Sequence, residues 1–132
     1  MLKKINHIGI AVNNLKEAAE KYVGITGITD YKTEYVEGQD VDVAMFKVGE
    51  SQIELLQGRS EKSPIFKYLE KNREGLHHVA YEVEDVEKTL ADLKEKGYRL
   101  IDETPRVGAG GHKIAFIHPK STGGVLTELI QV

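Results

Sequence analysis

The sequence predicts an α+β protein built from two related βαβββ modules, because two segments of the chain each occur twice. The first is INHIGIAV at 5–12, which returns as LHHVAYEV at 76–83. The second is QIELLQ at 52–57, which returns as LTELIQ at 126–131. Both copies keep the alternation of a strand, so each half is expected to fold in the same way.

The chain length predicts one domain rather than two. A chain of 132 residues with 40% hydrophobic content can bury a single core, whereas halves of about 60 residues are marginal alone. We therefore predict a single domain over 1–132, with module 1 at about 1–60, a connector at about 61–74 and module 2 at about 75–132.

The elements of module 1 follow from alternation, a helix cap and glycine turns. After the strand at 5–12, Asn14 can cap a helix, with Glu17 completing a capping box. Gly24 and Gly27 are expected to end that helix. The helix carries an apolar stripe at Leu15, Ala18, Ala19 and Tyr22. Strands are predicted near 29–37, at 41–48 and at 51–57, the last two joined by a turn at Gly49-Glu50.

The connector and module 2 show the same signals. Ser63-Pro64 is typical of a helix start, and Asp85 can cap a second long helix that ends at Gly97. The apolar stripe of that helix is Val86, Thr89, Leu90 and Leu93. Strands are predicted at 76–83 and near 98–105, 112–118 and 124–131, with glycine-rich turns at 108–111 and 123–124.

Each module places one histidine and one glutamate at matching positions. His7 and Glu54 are 47 residues apart, and His78 and Glu128 are 50 apart. If the halves fold alike, the four side chains meet as two imidazoles and two carboxylates, a donor set that favours Co²⁺, Mn²⁺, Ni²⁺ or Zn²⁺. Each residue alone could be an ordinary surface residue, but the repeat and the ligand types agree independently.

Strand alternation selects among the candidate ligands. His78 is the repeat partner of His7, and its neighbour His77 must point to the opposite face. Glu54 and Glu128 have flanking residues that suit a core-packed face: Ile53, Leu55, Thr127 and Leu129. A carboxylate inside such a strand is costly without a partner or a metal.

Composition excludes several other classes of function. The 18 basic and 21 acidic residues leave a net charge of −3, which gives no electrostatic case for nucleic-acid binding. The chain has no cysteine, so thiolate sites and disulfides are excluded. No apolar run approaches the length of a membrane span, and no signal-peptide pattern is present. A soluble, cytoplasmic protein is expected.

The chain resembles the vicinal oxygen chelate superfamily of glyoxalases, bleomycin resistance proteins and dioxygenases, and within it the methylmalonyl-CoA epimerase family. The general pattern, a histidine on the first strand and a glutamate on the last strand of each module, matches the four candidate ligands. The more specific matches are the segments 53–56, 63–65, 75–80, 105–111, 117–121 and 123–129. The resemblance implies a glyoxalase-like fold, in which paired modules form an open, curved mixed β-sheet around a metal site.

The resemblance also implies an activity. It predicts epimerisation of methylmalonyl-CoA at C2 through a metal-stabilised enolate, with Glu128 as both a metal ligand and a base. Cobalt is the expected metal, with Mn, Ni or Zn as alternatives. The expected partners are an acyl-CoA substrate and a second copy of the chain in a homodimer, with neither nucleic acid nor membrane.

No residue of this sequence is clearly assigned as the second acid or base, the group that would exchange a proton on the other face of C2. Some family members have a glutamate on the strand before the Glu54 strand. If Gly49-Glu50 is a two-residue turn, Met45 faces Glu54 and the aligned position is Val43. Asp42 is nearby but points to the other face, so either a strand slip recruits Asp42 or another group or water carries the second proton.

Several further residues are candidates for substrate contact. Lys120 and Ser121 are expected to hold the carboxylate or thioester end. Gly110 and Gly111 are expected to let the substrate approach the backbone, although a purely structural turn explains these glycines equally well. The CoA phosphates can be met by Arg106 or Lys113, although solvated surface charge also explains both residues. His112 and His118 fall outside the repeat and are expected to be structural or peripheral.

Three alternative functions remain open on the sequence. A glyoxalase I-like lyase uses the same four ligand types. A ring-cleaving dioxygenase ordinarily uses two histidines and one carboxylate, so Glu54 argues against it. A metal-free binding or drug-sequestering protein of the same fold has no need of all four ligands.

Overall fold

The computed structural model describes all residues from Met1 to Val132, which form two compact units. Unit 1 comprises Met1–His7 and His78–Val132, and unit 2 comprises Ile8–His77. The N-terminal residues therefore group with the second module. None of the three helices is long and apolar enough to cross a membrane.

Unit 2 contains a strand ladder and two helices. Its ladder has the order β2-β3-β4-β1, and β3 pairs antiparallel with both β2 and β4. The register places Val48 opposite Ser51, which confirms the two-residue turn, and Met45 opposite Glu54, as predicted. The elements are β1 (Leu2–Ala11), which belongs to this unit from Ile8 onward, α1 (Leu15–Thr26), β2 (Lys32–Val36), β3 (Val41–Val48), β4 (Ser51–Gly58) and α2 (Pro64–Lys71).

Helix α1 begins after the predicted cap, Asn14, but it continues past Gly24, the first of the two glycines predicted to end it. The Asn14 side chain accepts a hydrogen bond from the Glu17 amide at 3.0 Å. Gly27 ends the helix with φ at 74°, a left-handed conformation that favours glycine. The expectation that Gly24 also ends it is wrong, because the Gly27 amide still donates to the Val23 carbonyl.

Unit 1 carries the mixed part of the sheet. Its ladder has the order β5-β8-β7-β6, with β5 and β8 parallel and the other pairs antiparallel. Asp85 caps α3 as predicted, and its side chain accepts from the Lys88 amide at 3.1 Å. The elements are β5 (Gly75–Val83), which belongs to this unit from His78 onward, α3 (Val86–Glu95), β6 (Arg106–Val107), β7 (Lys113–Ile117) and β8 (Thr127–Gln131).

A strand near 98–105 was predicted, and this prediction is wrong. Only Leu100 forms an isolated bridge there, opposite Ile117. The Asp102 carboxylate accepts a hydrogen bond from the Phe116 amide at 2.8 Å, so a side chain takes the place that a strand carbonyl would occupy. The paired strand begins only at Arg106.

The repeat extends to a hydrogen bond at each helix start. In unit 2 the Gln57 side chain accepts from the Leu15 amide at 2.6 Å, and in unit 1 the Gln131 side chain accepts from the Val86 amide at 2.9 Å. The last strand of each module thus satisfies an amide that the first helical turn leaves unpaired.

The two faces of the unit 1 sheet differ in what covers them. One face packs against α3 in a core that includes Val83, Ala115, Ile117 and Leu129, together with Val86 and Leu90 of the helix. The other face has an apolar patch made of Ala80, Ile114, Phe116 and Ile130. By strand alternation, Glu128 and His78 lie on this second face.

Candidate metal centre

His7, His78 and Glu128 converge on one point in unit 1, and they are the three chelating side chains that could hold a metal ion. The two imidazole Nε2 atoms lie 3.1 Å apart. The Glu128 carboxylate places Oε1 3.2 Å from His78 Nε2 and Oε2 3.6 Å from His7 Nε2. Only 2–4% of each residue is exposed to solvent, so the cluster is an interior feature and not a surface group of charges.

Three strands place these side chains. His7 lies on β1, His78 on β5 and Glu128 on β8, and the parallel register sets Ala80 opposite Glu128. The two imidazole rings meet edge to face, with centroids 5.2 Å apart and planes at 88°. This geometry points both Nε2 atoms at the carboxylate.

The separations of the donor atoms fit a shared cation. Ligands at about 2.1 Å from one ion lie about 3.0 to 3.4 Å apart when the angle between them is between octahedral and tetrahedral values. The three observed separations of 3.1, 3.2 and 3.6 Å are close to this range. Two neutral imidazoles and a carboxylate suit a divalent transition metal and leave coordination positions for further ligands.

The electrostatics of Glu128 keep it ionised. Burial by itself raises the pKa of the Glu128 carboxyl. When His7 and His78 are protonated, their hydrogen bonds and positive charge outweigh burial and lower the pKa from 4.5 to about 2. A carboxylate that is ionised at neutral pH between two imidazoles is suited to bind a metal, because no proton has to leave it.

Two residues outside the repeat pattern support the cluster. Asn6 Oδ1 lies 2.7 Å from His7 Nδ1, behind the metal-facing nitrogen. Phe116 meets the His78 ring edge to face at 5.6 Å and lies opposite Glu128 in the β7–β8 ladder. Sequence reasoning missed both. The signal for Asn6 was its place directly before a candidate ligand, and the signal for Phe116 was its position on the strand paired with the Glu128 strand.

Glu54, the fourth predicted ligand, lies on β4 in unit 2 and is 7% exposed. Its place in the metal centre stays a prediction. The residues that flank it, Ile53 and Leu55, pack in the core beneath α1, as expected for the opposite face.

Two other unit 2 residues bear on the site predictions. The ring of His77 packs edge-on against Tyr68 at 4.8 Å. Asp42 forms two hydrogen bonds with Arg59, at 2.6 and 3.2 Å. The β3–β4 register runs without a bulge through Val43, so the slip that would bring Asp42 to the other face is absent.

The predicted substrate contacts occupy loops of unit 1. Lys120 and Ser121 belong to a short 3₁₀ turn, in which the Ser121 hydroxyl accepts from the Arg99 amide at 2.8 Å. Gly110 and Gly111 are exposed in the connection between β6 and β7, a hairpin as predicted.

The two basic candidates differ in their surroundings. The Arg106 guanidinium lies over the Phe116 ring, 5.3 Å from its centroid, with Nε 3.4 Å from Asp102. Lys113 instead pairs with Glu87 at 2.7 Å. Arg106 is therefore oriented beside an aromatic ring that also contacts a cluster histidine, whereas Lys113 is engaged on the surface.

Of the remaining histidines, His118 caps the turn that contains Lys120. Its Nδ1 accepts a hydrogen bond from the Lys120 amide at 3.0 Å. Burial, followed by the charges of Arg99 and Lys120, lowers the pKa of His118. The ring of His112 lies against Gly110, where an added Cβ would meet it at 3.1 Å.

Residues 6–116 match the Glyoxalase/Bleomycin resistance protein/Dioxygenase superfamily. The chain belongs to this superfamily. The match covers most of the chain, including His7, Glu54 and His78, and it confirms the resemblance found in the sequence. The α+β class and the glyoxalase-like fold are confirmed with it.

Within the superfamily, the chain is similar to acyl-CoA epimerases. It is 39% identical to the ethylmalonyl-CoA/methylmalonyl-CoA epimerase of Cereibacter sphaeroides, over 100% of both chains. It is 37% identical to the mitochondrial methylmalonyl-CoA epimerase of Homo sapiens, over 98% of this chain and 74% of the human protein. A solved methylmalonyl-CoA epimerase in complex with methylmalonyl-CoA and NH4+ shares 41% identity and a TM-score of 0.94, covering 99% of this chain and 95% of that one.

Proposed function

We propose that this protein is a metal-dependent methylmalonyl-CoA epimerase. The observation that carries the proposal is the buried cluster of His7, His78 and Glu128, in a chain that matches such epimerases over nearly its whole length. The relatives act on acyl-CoA substrates, and one solved relative holds methylmalonyl-CoA.

His7, His78 and Glu128 would hold a divalent metal, with Glu54 as a fourth ligand. When bound, the metal would supply Lewis acidity that stabilises the enolate oxygen of a thioester. We propose cobalt as the native ion, with Mn, Ni and Zn as alternatives that the same donor set accepts. The low pKa of Glu128 supports its role as an ionised ligand.

Glu128 is also the group that we propose takes the C2 proton. Its carboxylate lies at the cluster, 3.2 Å from His78 Nε2, so it would be next to the C2 proton of a substrate held there. For the proton that is returned on the other face, Asp42 is a poor candidate, because Arg59 holds it. Water or another side chain is the remaining source.

Substrate contacts are proposed from the sequence and from the position of one arginine. We propose that Lys120, Ser121, Gly110 and Gly111 contact the acyl-CoA, as predicted from the sequence. Arg106 is added as an anion contact, because its guanidinium lies between Asp102 and the Phe116 ring, which contacts His78, and arginine binds carboxylates and phosphates through several donors. A homodimer, a cytoplasmic location and a role in propionate metabolism stay predictions.

The test is deuterium incorporation at C2 of methylmalonyl-CoA in heavy water, with the purified protein before and after chelation. We expect exchange that chelation abolishes and that added Co²⁺ restores. Glu128→Gln is expected to lose most of the exchange while keeping part of its metal. Wild-type exchange in that variant would remove Glu128 from the chemistry.

The same preparation separates the rival activities. A glyoxalase I-like lyase would turn over the glutathione hemithioacetal of methylglyoxal, and a dioxygenase loaded with Fe²⁺ would consume O₂ with a catechol. Turnover of either substrate without C2 exchange of methylmalonyl-CoA would overturn the proposal.

A further inference from the structure

We propose that Asn6 and Glu82 fix the tautomer of His7, so that His7 presents the lone pair of Nε2 to the metal. Asn6 is a positioning residue in this inference, since it acts through His7. The inference rests on the proposed metal site and adds to it two residues that the ligand pattern does not contain.

The three residues form a chain of polar contacts along β1 and β5. Glu82 Oε2 lies 3.4 Å from Asn6 Nδ2, and Asn6 Oδ1 lies 2.7 Å from His7 Nδ1. The Glu82 side chain is 13% exposed, and the ammonium groups of Lys3 and Lys4 lie 3.7 and 3.8 Å from its oxygens. The chain therefore runs from two surface cations to the buried imidazole.

The chemistry of these groups allows one arrangement. An ionised carboxylate only accepts hydrogen bonds, so Glu82 requires the donor end of the Asn6 amide, its NH₂ group. The amide oxygen then faces His7, and that oxygen also only accepts. His7 Nδ1 must therefore carry a hydrogen and donate it to Asn6.

The tautomer decides whether His7 can bind a metal at the cluster. In a neutral imidazole with hydrogen on Nδ1, the lone pair is on Nε2. His7 Nε2 is the atom that lies 3.1 Å from His78 Nε2 and 3.6 Å from the Glu128 carboxylate. The opposite tautomer would aim a hydrogen at the point where the ion is expected.

The arrangement belongs to one half of the repeat. At the positions that correspond to Asn6 and Glu82 in the aligned repeats, the chain has His77 and Ala11. His77 packs on Tyr68, and Ala11 has no polar group. His77 is thus a matched control: it precedes a ligand histidine on the equivalent strand but lacks the carboxamide and carboxylate pair.

The first measurement uses the unaltered protein without metal. Proton–nitrogen correlations of ¹⁵N-labelled histidine at about pH 8, where imidazoles are neutral, report which ring nitrogen carries hydrogen. The His7 signals are assigned by their loss in His7→Ala. We expect hydrogen on Nδ1, and hydrogen on Nε2 would overturn the inference without any variant being needed.

The second measurement is Co²⁺ affinity by calorimetry and the Co²⁺ absorption spectrum. Asn6→Ala is expected to weaken Co²⁺ binding by about 10- to 100-fold, the range for residues that hydrogen-bond the non-coordinating ring nitrogen of a ligating histidine. His77→Ala is expected to bind Co²⁺ as the wild type does. Equal affinities for Asn6→Ala and wild type, or equal losses in both variants, would overturn the inference.

A swap of the two groups separates tautomer control from simple packing. In Asn6→Asp combined with Glu82→Gln, a carboxylate accepts from His7 Nδ1 and an amide donates to that carboxylate, so the direction of every hydrogen bond and the net charge are retained. We expect this double variant to recover the Co²⁺ affinity and the Nδ1–H signal, which Asn6→Ala loses. A failure to recover both, in a protein with the wild-type circular dichroism spectrum, would refute tautomer control.

The outcome is distinguishable from failure of the proposed function. If the wild type binds no Co²⁺, the metal centre itself is refuted. If the wild type binds Co²⁺ and exchanges C2 protons while Asn6→Ala binds equally well, only the role of Asn6 and Glu82 is refuted.

Discussion

The low pKa of Glu128 predicts how the metal-free protein loses stability in acid. The carboxyl has a pKa of about 2 in the folded chain, against an ordinary value of 4.5. Because the folded value is the lower one, the ionised group stabilises the fold above pH 4.5, and this contribution is lost as the pH falls toward 2. The perturbation is Glu128→Gln, which removes the titration.

The size of the effect follows from the two values. The difference between a pKa of 4.5 and one of about 2 corresponds to about 3.4 kcal/mol once both the folded and the unfolded states are protonated. Integration between pH 5 and pH 3 gives a loss of about 2 kcal/mol from this group alone. A loss of that size is a large share of the roughly 5 to 15 kcal/mol that holds a domain folded.

The assay is urea unfolding of chelator-treated protein at pH 5, 4 and 3, a range in which imidazoles are ordinarily protonated throughout. The wild type should lose about 2 kcal/mol more than Glu128→Gln across this range. The matched control is Glu103→Gln. Lys94 also lowers the pKa of Glu103, but solvent screens this exposed pair, so this variant should follow the wild type. Parallel losses in wild type and Glu128→Gln would refute the reasoning.

Three further outcomes are expected. His78→Ala should weaken Co²⁺ binding by more than about 100-fold, a larger loss than is usual for a residue that only hydrogen-bonds a ligand, and should lower turnover as well. His77→Ala should keep far more activity, and the reverse ranking would contradict the strand-parity assignment. Gln131→Ala should lower the free energy of unfolding by about 1 kcal/mol, measured by urea denaturation, because a helix-start amide loses its acceptor; an unchanged midpoint would refute that role. Arg106→Ala should raise KM for methylmalonyl-CoA about tenfold with a smaller change in kcat. Lys113→Ala, which loses only a surface ion pair, should leave KM unchanged. A KM for Arg106→Ala equal to that of the wild type would remove Arg106 from substrate binding.

Much of the cluster could be predicted because the two halves of the chain can be aligned with each other, and matching positions can then be compared. His7 and His78 were identified as partners by the repeat alone, and Glu128 by its place in the copied last strand. The structure brings these three together within one unit. Helix starts at Asn14 and Asp85 were predictable for a different reason: a cap depends on residues within one turn, so local sequence contains the needed information.

The errors arose where a distant side chain decides the backbone. Residues near 98–105 read as a strand, but the Asp102 carboxylate bonds the Phe116 amide and ends regular pairing there. Asn6 was missed for the same reason. Its importance depends on Glu82, 76 residues away, and no periodicity or motif connects the two.

The register of strand β3 limits which side chains could return a proton to the opposite face of C2 in an epimerase. Its pairing with β4 is unbroken from Val41 opposite Gly58 to Val48 opposite Ser51. A one-residue slip would turn every side chain of the strand to the other face and would remove Ala44 and Phe46 from the core beneath α1. Asp42 therefore stays on the Arg59 side, and the face of β3 that Glu54 shares presents the buried, non-ionisable Val43. Lys47 is the ionisable side chain on that face of β3, so an epimerase with this strand would return the second proton from water, from Lys47 or from a group outside β3. If water returns the proton, C2 of the product formed in heavy water should carry deuterium at each turnover, whereas retention of the abstracted hydrogen would show internal transfer by a side chain.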